Sequence, residues 1–574
     1  MTDRRPVAVA VALVAVLLGG CASLPTSGPV RAGRDLQAEP DNVGVRVIGQ
    51  PPVPGSRPQD IVRGFLQASA DFVNDHAVAR LYLAPAARQR WKPGTGTAVY
   101  DRSVGPFSVE PTSAGSVGLT ATEVASIDRQ GHYRRTQAGT RLTRSFPMTR
   151  VDGQWRIASL ANGLVLTKSD VQETFRQLNL YFLAPSRRVL VPDTLFLPAA
   201  PGLSTALITR LLAGPTENLA AATTTAFPRG SSLAVSSVPV RDGIAQVNLD
   251  ASVLKADGAT RSLMSAQLVW TLKQLPEFQG LKLMVEGDDL SVPDQGQVQS
   301  QDAWNSYDPA GLAQGADAFV IRAGRLGRIG EGRFTPVPGP AGIGQPALRR
   351  PAISLDGARA AAITADGRAL MTGRMAEGEA FVERLRGSQL STPSWDAAGN
   401  VWVVDAPVGR VWMIPEGTRA PVAVNVPNVP AGRVTGLRVA HDGVRVAVVA
   451  GAGAQARLYV GSIVRGPVGR PAPGVKGLTE ILPQLRSVRG VGWADATTLA
   501  VLGAQSGGLV APLFTDTDGY EVAPIEPETG LVSVAAAPRP RPLFAGTGTG
   551  RIAQYTAGRG WVDLGPGADP AYPG

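Results

Sequence analysis

A turn signal recurs in the C-terminal half of this 574-residue chain, and its spacing limits the possible folds more than any other feature. Each copy places an aspartate next to a small residue, between two β-rich runs; the aspartates are Asp356, Asp396, Asp442 and Asp495. Successive aspartates are 40, 46 and 53 residues apart. Repeats of about 40–50 residues with four short strands each are typical of β-propellers. The spacing therefore predicts an all-β propeller over residues 312–574, with the aspartates in turns rather than at its axis.

Two incomplete copies flank the four clear ones. A degraded fifth copy begins near Val532, and a partial unit at residues 318–337 precedes the first full repeat. We expect this partial unit to share a blade with the C-terminal residues, because that pairing closes the ring and removes free strand edges. The arrangement predicts about six blades, with five or seven left open.

Three features of this region suggest chemistry, but each has a simpler interpretation. His441 stands in a repeated turn where other copies carry Leu355 or Trp395. Because the position accepts such different side chains, a structural role is the simpler interpretation of His441. The glycine-rich segment 546–550 resembles a phosphate loop, but no helix pattern follows it, which favours a turn. We expect the tryptophans of the region to pack between blades; they are Trp395, Trp402, Trp412, Trp493 and Trp561. An enzyme would instead need carboxylates converging on the central funnel.

The N-terminus carries an export signal. Arg4 and Arg5 precede an unbroken apolar run at residues 7–18, which is too short for a permanent bilayer span and fits a signal peptide. The run ends in Leu18-Gly19-Gly20-Cys21, which resembles a bacterial lipobox. The resemblance implies a signal peptide at residues 1–20, cleavage before Cys21, and acylation of that residue. The alternative is an ordinary secretory signal with an incidental cysteine.

The residues after Cys21 predict a flexible tether. Residues 22–58 hold seven prolines and five glycines but no aromatic residue, so they cannot form a core. With its acyl chains, the tether at residues 21–58 would anchor the protein to the extracytoplasmic face of the cell membrane.

The sequence predicts one α+β domain over residues 59–170. Pro58 and Asp60 open a helix with apolar residues as far as Val73, and a later Asp152-Gly153 pair marks a tight hairpin turn. Helices followed by a sheet that ends in this "DGQWRI" segment resemble the nuclear-transport-factor-2-like fold, a cone with a pocket. Enzymes of that fold line the pocket with Asp and His residues. The candidates here are Asp71, Asp75 and His76. The plainer interpretation is a solvated helix end.

Residues 171–300 predict an α/β domain that is followed by a linker at residues 301–311. A helix at Leu203–Leu212 ends in the motif "LLAGPT" (residues 211–216), and "DGIAQVNLD" follows at residues 242–250. In this order the two motifs resemble the GerMN domain, which occurs in exported proteins and carries no known catalytic constellation. Asp250 could face a ligand, but a cap at the end of a strand is the simpler role.

The composition excludes several kinds of site. One cysteine rules out an internal disulfide and a multi-cysteine metal site, and the three histidines stand far apart. Common hydrolase, zinc-protease and phosphate-loop motifs are absent, so we expect no catalytic residues, no cofactor and no metal.

The charge of the chain is unevenly distributed. The net charge is +10; residues 22–170 carry +6, residues 171–300 carry −1, residues 312–574 carry +6, and the remaining residues carry −1. The chain has no long run of like charges, so its sequence gives no sign of a nucleic-acid partner. The two basic segments, residues 22–170 and 312–574, are compatible with weak attraction to anionic lipid or wall polymer.

The order of these modules resembles the LpqB lipoproteins of actinobacteria. The resemblance covers essentially the whole mature chain and implies a non-enzymatic accessory of a two-component system. Such a protein would bind the extracytoplasmic domain of the Mtr sensor histidine kinase and modulate signalling to cell division and envelope homeostasis. The alternative is a structural lipoprotein that binds cell-wall polymer. A third candidate, an enzyme using the cone pocket or the propeller funnel, is the least supported.

Overall fold

The computed structural model describes residues 48–113, 115–312, 315–330, 332–418, 420–466, 473–505 and 508–574. The expected signal peptide, Cys21 and most of the expected tether lie outside these residues. No helix of the described part of the chain has the length and apolarity needed to span a membrane.

The N-terminal module, residues 58–167, packs short helices on a seven-stranded sheet. Its helices are α1 (Pro58–Ala68), α2 (Ala77–Arg80) and α3 (Pro85–Arg90). Its strands are β1 (Thr97–Tyr100), β2 (Ser108–Ser113), β3 (Ser116–Ile127), β4 (Tyr133–Arg135), β5 (Arg141–Val151), β6 (Gln154–Ile157) and β7 (Leu164–Thr167). The main strand order is β6-β5-β3-β1-β7, and β2 and β4 add to β3. Helix α1 buries Ile61, Val62 and Phe65 in the core of this module because they recur at helical spacing.

Of two local predictions for this module, one differs from the structure and one is confirmed. Helix α1 ends at Ala68 and does not reach Val73, because the chain soon turns through three left-handed residues, Asn74, Asp75 and His76. The hairpin at Asp152-Gly153 is confirmed: both residues have positive φ, at 50° and 76°, as a tight two-residue turn requires.

The middle module, residues 168–300, contains two sheets and two longer helices around one core. Its helices are α4 (Lys168–Thr174), α5 (Leu203–Leu212), α6 (Glu217–Ala220) and α7 (Gly258–Leu272). Its strands are β8 (Phe175–Leu183), β9 (Leu190–Pro198), β10 (Val240–Arg241), β11 (Ile244–Leu249), β12 (Gly280–Val285), β13 (Asp288–Asp289) and β14 (Val298–Ser300). Strands β8 and β9 form a hairpin, and α7 connects the parallel strands β11 and β12.

The propeller-like module, residues 318–571, contains six four-stranded antiparallel sheets within the described residues. The first sheet combines β15 (Ala318–Arg322), β16 (Arg325–Gly330) and β17 (Arg333–Pro336) with the last strand, β38 (Ala568–Ala571). The second is β18 (Leu348–Ile353), β19 (Arg359–Thr364), β20 (Ala369–Arg374) and β21 (Val382–Arg386), preceded by α8 (Pro340–Ile343). The third is β22 (Ser394–Trp395), β23 (Val401–Asp405), β24 (Arg410–Ile414) and β25 (Val422–Val424). The fourth is β26 (Val434–Val439), β27 (Arg445–Ala450), β28 (Arg457–Val464) and β29 (Gly474–Glu480). The fifth is β30 (Leu485–Trp493), β31 (Thr498–Gln505), β32 (Ala511–Asp516) and β33 (Val522–Pro524). The sixth is β34 (Leu531–Ala535), β35 (Leu543–Thr547), β36 (Arg551–Thr556) and β37 (Gly560–Pro566).

One edge strand from each sheet lies at the centre of this module. Strand β38 neighbours β18 and β34, and the remaining inner strands β22, β26 and β30 complete the circle between them. The predicted sharing of one sheet between the partial unit and the C-terminal residues is confirmed by the pairing of β15 with β38.

The four repeated aspartates all lie in turns, as predicted. Each accepts a hydrogen bond from the backbone N–H two residues later, at 3.0 Å for Asp356, 2.9 Å for Asp396, 2.7 Å for Asp442 and 2.8 Å for Asp495. This is the hydrogen bond of an Asx-turn, which explains why an aspartate recurs at this position.

Packing between sheets is also confirmed for two tryptophans. The indole N–H of Trp395 donates to Ala352 O at 3.1 Å, and that of Trp493 donates to Arg438 O at 3.1 Å.

Candidate functional site

The three modules meet at a cluster of three aromatic rings, one from each module. Tyr133 lies in β4, Phe196 in β9, and Tyr520 in the loop between β32 and β33. The ring centroids of Tyr133 are 5.1 Å from those of both Phe196 and Tyr520, and those of Phe196 and Tyr520 are 4.7 Å apart. Aromatic pairs at such distances stabilise beyond the area that they bury. We call this cluster and the polar groups around it the three-module junction.

Backbone contacts hold the loop that carries Tyr520. The guanidinium of Arg135, in β4, donates to Gly519 O and, at 3.2 Å, to Tyr520 O. Gly519 has φ 77°, and a Cβ there would lie 2.1 Å from Ile481 O. Only glycine therefore fits at this position, both in conformation and in space.

His132 connects the N-terminal and middle modules. Its Nδ1 lies 3.2 Å from Oδ2 of Asp128, in its own module, and its Nε2 lies 3.6 Å from Oδ1 of Asp193, in β9. Asp128 also accepts hydrogen bonds from the backbone N–H groups of residues 130–132, which fixes the turn before β4. A charged imidazole would therefore be held between carboxylates from two modules.

The electrostatics favour that charged form. Burial by itself would lower the pKa of His132, but its contacts with Asp128 and Asp193 outweigh burial and raise the pKa to about 9. Burial likewise opposes ionisation of Asp128, but the hydrogen bonds and charge of His132 lower the pKa of that carboxyl to about 2. At neutral pH, His132 is a cation paired across a module boundary.

Asp193 also holds the end of the "LLAGPT" motif. Its two carboxylate oxygens accept hydrogen bonds from the backbone N–H and the hydroxyl of Thr216, both at 3.0 Å. Thr216 directly precedes α6, in which Asn218 O accepts a hydrogen bond of 3.0 Å from Ser462 of β28. The motif thus links the helix stop predicted at Gly214-Pro215 to the propeller-like module.

A buried acidic pair faces the middle module from the propeller-like side. Gln177 Nε2, in β8, donates to Asp516 at 2.8 Å and to Asp518 at 3.3 Å. Burial raises the pKa of both carboxyls, and repulsion from Asp516 raises that of Asp518 further. Next to this pair, an apolar patch joins the same two modules; it consists of Ala184, Val191, Leu219, Ala222 and Val444.

A cavity of about 120 Å³ lies within the junction. His132, Asp193, Arg445 and Asp518 contribute to its lining. The Nε of Arg445 donates to Asp442 at 2.7 Å and its guanidinium lies 5.2 Å from the Trp493 ring centroid, but its two terminal nitrogens have no hydrogen-bond partner among the described residues. The cavity is large enough for water molecules that would satisfy such groups.

The three candidate residues of the cone fold make local structural contacts. Asp71 accepts backbone hydrogen bonds from Gly49 and Val73, each at 3.1 Å, and Asp75 pairs with Arg80 at 2.6 Å. The ring of His76 packs beside Phe72, and burial lowers the pKa of His76. None of the three candidates lines the 320 Å³ cavity of this module. They shape the end of the helical segment.

The other predicted candidates also have structural roles. Asp250 caps the end of β11 by accepting hydrogen bonds from Ser252 N at 2.9 Å and Ser232 N at 2.6 Å, which confirms the cap. Of residues 546–550, the first two end β35 and the other three form the turn into β36. His441 contacts Ala310 O through Nδ1, and burial lowers the pKa of His441. No cluster of metal-ligating side chains occurs in the described parts of the chain.

Sequence reasoning missed the junction. Asp128 and His132 could have been recognised as a local pair, because an aspartate three residues before a glycine is a turn signal. Asp193 and Tyr520 belong to other modules, and no local pattern links them to His132.

Three known protein families match successive parts of the chain. The family described as the lipoprotein LpqB N-terminal domain matches residues 51–172. The family described as sporulation and spore germination matches residues 179–291, and the lipoprotein LpqB beta-propeller domain matches residues 324–573.

Full-length relatives carry the same name. A lipoprotein LpqB from Thermobifida fusca is 33% identical and covers 100% of this chain and 99% of its own. One from Streptomyces coelicolor is 33% identical, with 100% and 98% covered. Among solved structures, the tandem GerMN domains of the sporulation protein GerM from Bacillus subtilis align at 21% identity with a TM-score of 0.19, over 22% of this chain and 45% of that one.

Proposed function

Because the chain belongs to the LpqB family of lipoproteins, we propose that it is a membrane-anchored accessory protein that acts by binding a signalling partner and not by catalysis. The observation that carries the proposal is the three-ring cluster of Tyr133, Phe196 and Tyr520. It fixes the three modules against one another, so a partner would meet one composite surface rather than three separate domains.

The anchor supplies the location. In this proposal residues 1–20 are removed, Cys21 is acylated, and the tether up to residue 58 leads to modules at 59–170 and 171–300, a linker at 301–311, and a propeller at 312–574. Acyl chains hold the protein on the extracytoplasmic face of the membrane and raise its effective concentration near membrane partners. The basic residues Arg4 and Arg5, the apolar run at residues 7–18 and the lipobox-like Leu18-Gly19-Gly20-Cys21 support this location.

The proposal also assigns folds to two of the modules. We assign the N-terminal module to the nuclear-transport-factor-2-like class, supported by its helices on a sheet of order β6-β5-β3-β1-β7. We assign six blades to the propeller, supported by six four-stranded sheets in the described residues. Rigid propellers present loops on both faces, and such loops commonly bind proteins.

The proposed partner is the extracytoplasmic domain of the Mtr sensor histidine kinase. A bound protein changes the output of a two-state sensor only if it binds one state better than the other. We therefore expect the chain to discriminate between sensor states and to alter phosphorylation of the response regulator, with consequences for cell division and envelope homeostasis.

Photo-crosslinking of the lipidated full chain tests the proposal. Crosslinkers would replace Val408 and Leu509, which are 62% and 82% exposed on loops of the propeller-like module. The expected result is capture of the sensor's extracytoplasmic domain from membranes, and weaker capture by the unanchored Cys21→Ser protein. Capture of cell-wall polymer without the sensor would overturn the proposal in favour of a structural wall-binding role.

A further inference from the structure

An unassigned cavity lies at the centre of the propeller-like module. It measures about 460 Å³ and is lined by residues of, or directly before, the inner strand of every sheet: β18, β22, β26, β30, β34 and β38. The cavity is therefore the central channel of the ring. Its size lies within the range of small-ligand sites, about 300–1,000 Å³.

The lining of this channel is strongly basic. It contains four arginines, which are Arg349, Arg350, Arg438 and Arg489. Asp569 is the one acidic residue among the lining residues, so three positive charges are left without a carboxylate. The carboxylates needed for a hydrolase are therefore not gathered here, and the predicted alternative of an enzyme in the funnel gains no support.

Little in the described protein neutralises these charges. Arg350 donates its backbone N–H to Asp569 at 2.9 Å and its guanidinium to Leu390 O at 2.7 Å. The guanidinium of Arg438 donates to backbone carbonyls only, including Thr392 O at 3.0 Å. Arg349 and Arg489 have no hydrogen-bond or ion-pair partner among the described residues that would hold their guanidinium groups.

The arginines also repel one another. Burial, and then the nearby charge of Arg350, lowers the pKa of Arg438 to about 10, although Asp569 acts in the opposite direction. Burial and the charge of Arg349 lower the pKa of Arg350 in the same way. Several cations gathered in a partly buried channel are costly unless an anion offsets their charge.

The channel opens on one face of the ring. Arg349 and Arg350 lie near the beginning of β18 and Arg489 lies in the middle of β30, whereas Arg438 lies close to the end of β26 and borders both this cavity and the next one. The turns with Asp356, Asp396 and Asp442 follow the ends of the inner strands. The middle module contacts that second face, through Val444 and Ser462. Towards it the channel narrows to a cavity of about 50 Å³, bordered by His441 and Trp493. The wider, arginine-lined opening is therefore on the face that the other modules leave free.

From the position of these four arginines we propose that the channel binds a phosphate-bearing ligand, with two or more negative charges, through its arginine-lined end. Guanidinium groups match the geometry of phosphate oxygens and form paired hydrogen bonds with them. The group could belong to a small diphosphate or to the phosphodiester backbone of a wall polymer. The site is separate from the three-module junction and does not depend on the proposed sensor partner.

Calorimetric titration of the lipidated full chain in detergent tests the site, with inorganic pyrophosphate and poly(glycerol phosphate) as probes. The channel variant is Arg349→Gln/Arg489→Gln. The matched control is Arg333→Gln/Arg559→Gln, which removes two exposed arginines elsewhere in the same module and keeps the net charge equal. Loss of charged hydrogen bonds should weaken binding by about tenfold or more in the channel variant only. Melting curves without ligand should show that both variants remain folded.

The two probes separate the sources of the phosphate group. Pyrophosphate binding that the channel variant loses and the control keeps identifies a small phosphorylated ligand. If instead only poly(glycerol phosphate) binds, and the channel variant loses this binding while the control keeps it, the ligand is a wall phosphodiester. Equal affinity in all three proteins, or no binding of either probe, would overturn the proposal. As a second measurement, pyrophosphate should raise the melting temperature of the wild type and the control but not of the channel variant.

Discussion

At the scale of single residues, His132 is the group whose ionisation most directly reports the contact between modules. Its pKa is raised to about 9 by Asp128 and Asp193, whereas burial lowers the pKa values of the other two histidines, His76 and His441. With only three histidines in the chain, imidazole NMR can follow each one.

The NMR titration should show one histidine that deprotonates near pH 9 and two that do so below pH 6.5. Asp193→Asn should lower the pKa of His132 towards its ordinary value, since one of the two carboxylates is lost. Asp250→Asn is the control, because Asp250 lies in the same module but caps a different segment. A pKa of His132 that stays near 9 in Asp193→Asn would show that the modules do not meet at this pair.

The free energy of unfolding of the protein should depend on the ionisation of His132. A folded-state pKa above 6.5 means that the contribution of His132 is complete below about pH 6.5 and is lost as the pH rises through about 9. The rise in the pKa of His132 from 6.5 to about 9 corresponds to about 3 kcal/mol in the free energy of unfolding. Denaturation from pH 6 to pH 10 should therefore show a fall in the free energy of unfolding that is absent in His132→Gln. Parallel curves for the two proteins would contradict this role.

At the scale of elements, local signals predicted much of the fold. The helix at Leu203–Leu212 has the predicted bounds, because its apolar spacing and its flanking turn residues agree. Helix α1 is instead shorter than predicted. The contact of His132 with Asp193 spans distant segments, so only the folded chain reveals it.

The loop between β32 and β33 is the element on which the aromatic cluster depends. Gly519→Ala would place a methyl group against Ile481 O at 2.1 Å and strain the left-handed backbone. We expect a loss of about 3 kcal/mol or more in the free energy of unfolding. The clash is with a backbone oxygen, which cannot move aside as a flexible side chain can. Thermal denaturation measures this loss.

The matched control for that substitution is Gly530→Ala. Gly530 has a similar φ of 73°, but nothing lies within 4 Å of the added methyl group. It should therefore cost only the conformational strain, about 1 kcal/mol. Equal losses for the two variants would mean that the packing of Gly519 against Ile481 does not hold the loop.

At the scale of the whole molecule, the aromatic cluster should make the modules unfold together. Tyr520→Ala removes one of its three rings and should separate the calorimetric unfolding into more than one transition. Tyr555→Ala is the control: its ring contact, with Trp561 at 5.3 Å, lies within one sheet. It should lower the stability of the propeller-like module without uncoupling the others. Unchanged cooperativity in Tyr520→Ala would exclude this coupling.

If the docked modules act together on a membrane sensor, reconstitution with the sensor kinase should reveal the effect in the rate of phosphate transfer. The lipidated protein and the sensor kinase would be placed in one membrane, and phosphate transfer to the response regulator would be timed. We expect a changed transfer rate with the wild type, a smaller change with Tyr520→Ala, and a wild-type response with Tyr555→Ala. The same transfer rate with and without the wild-type protein would contradict this expectation.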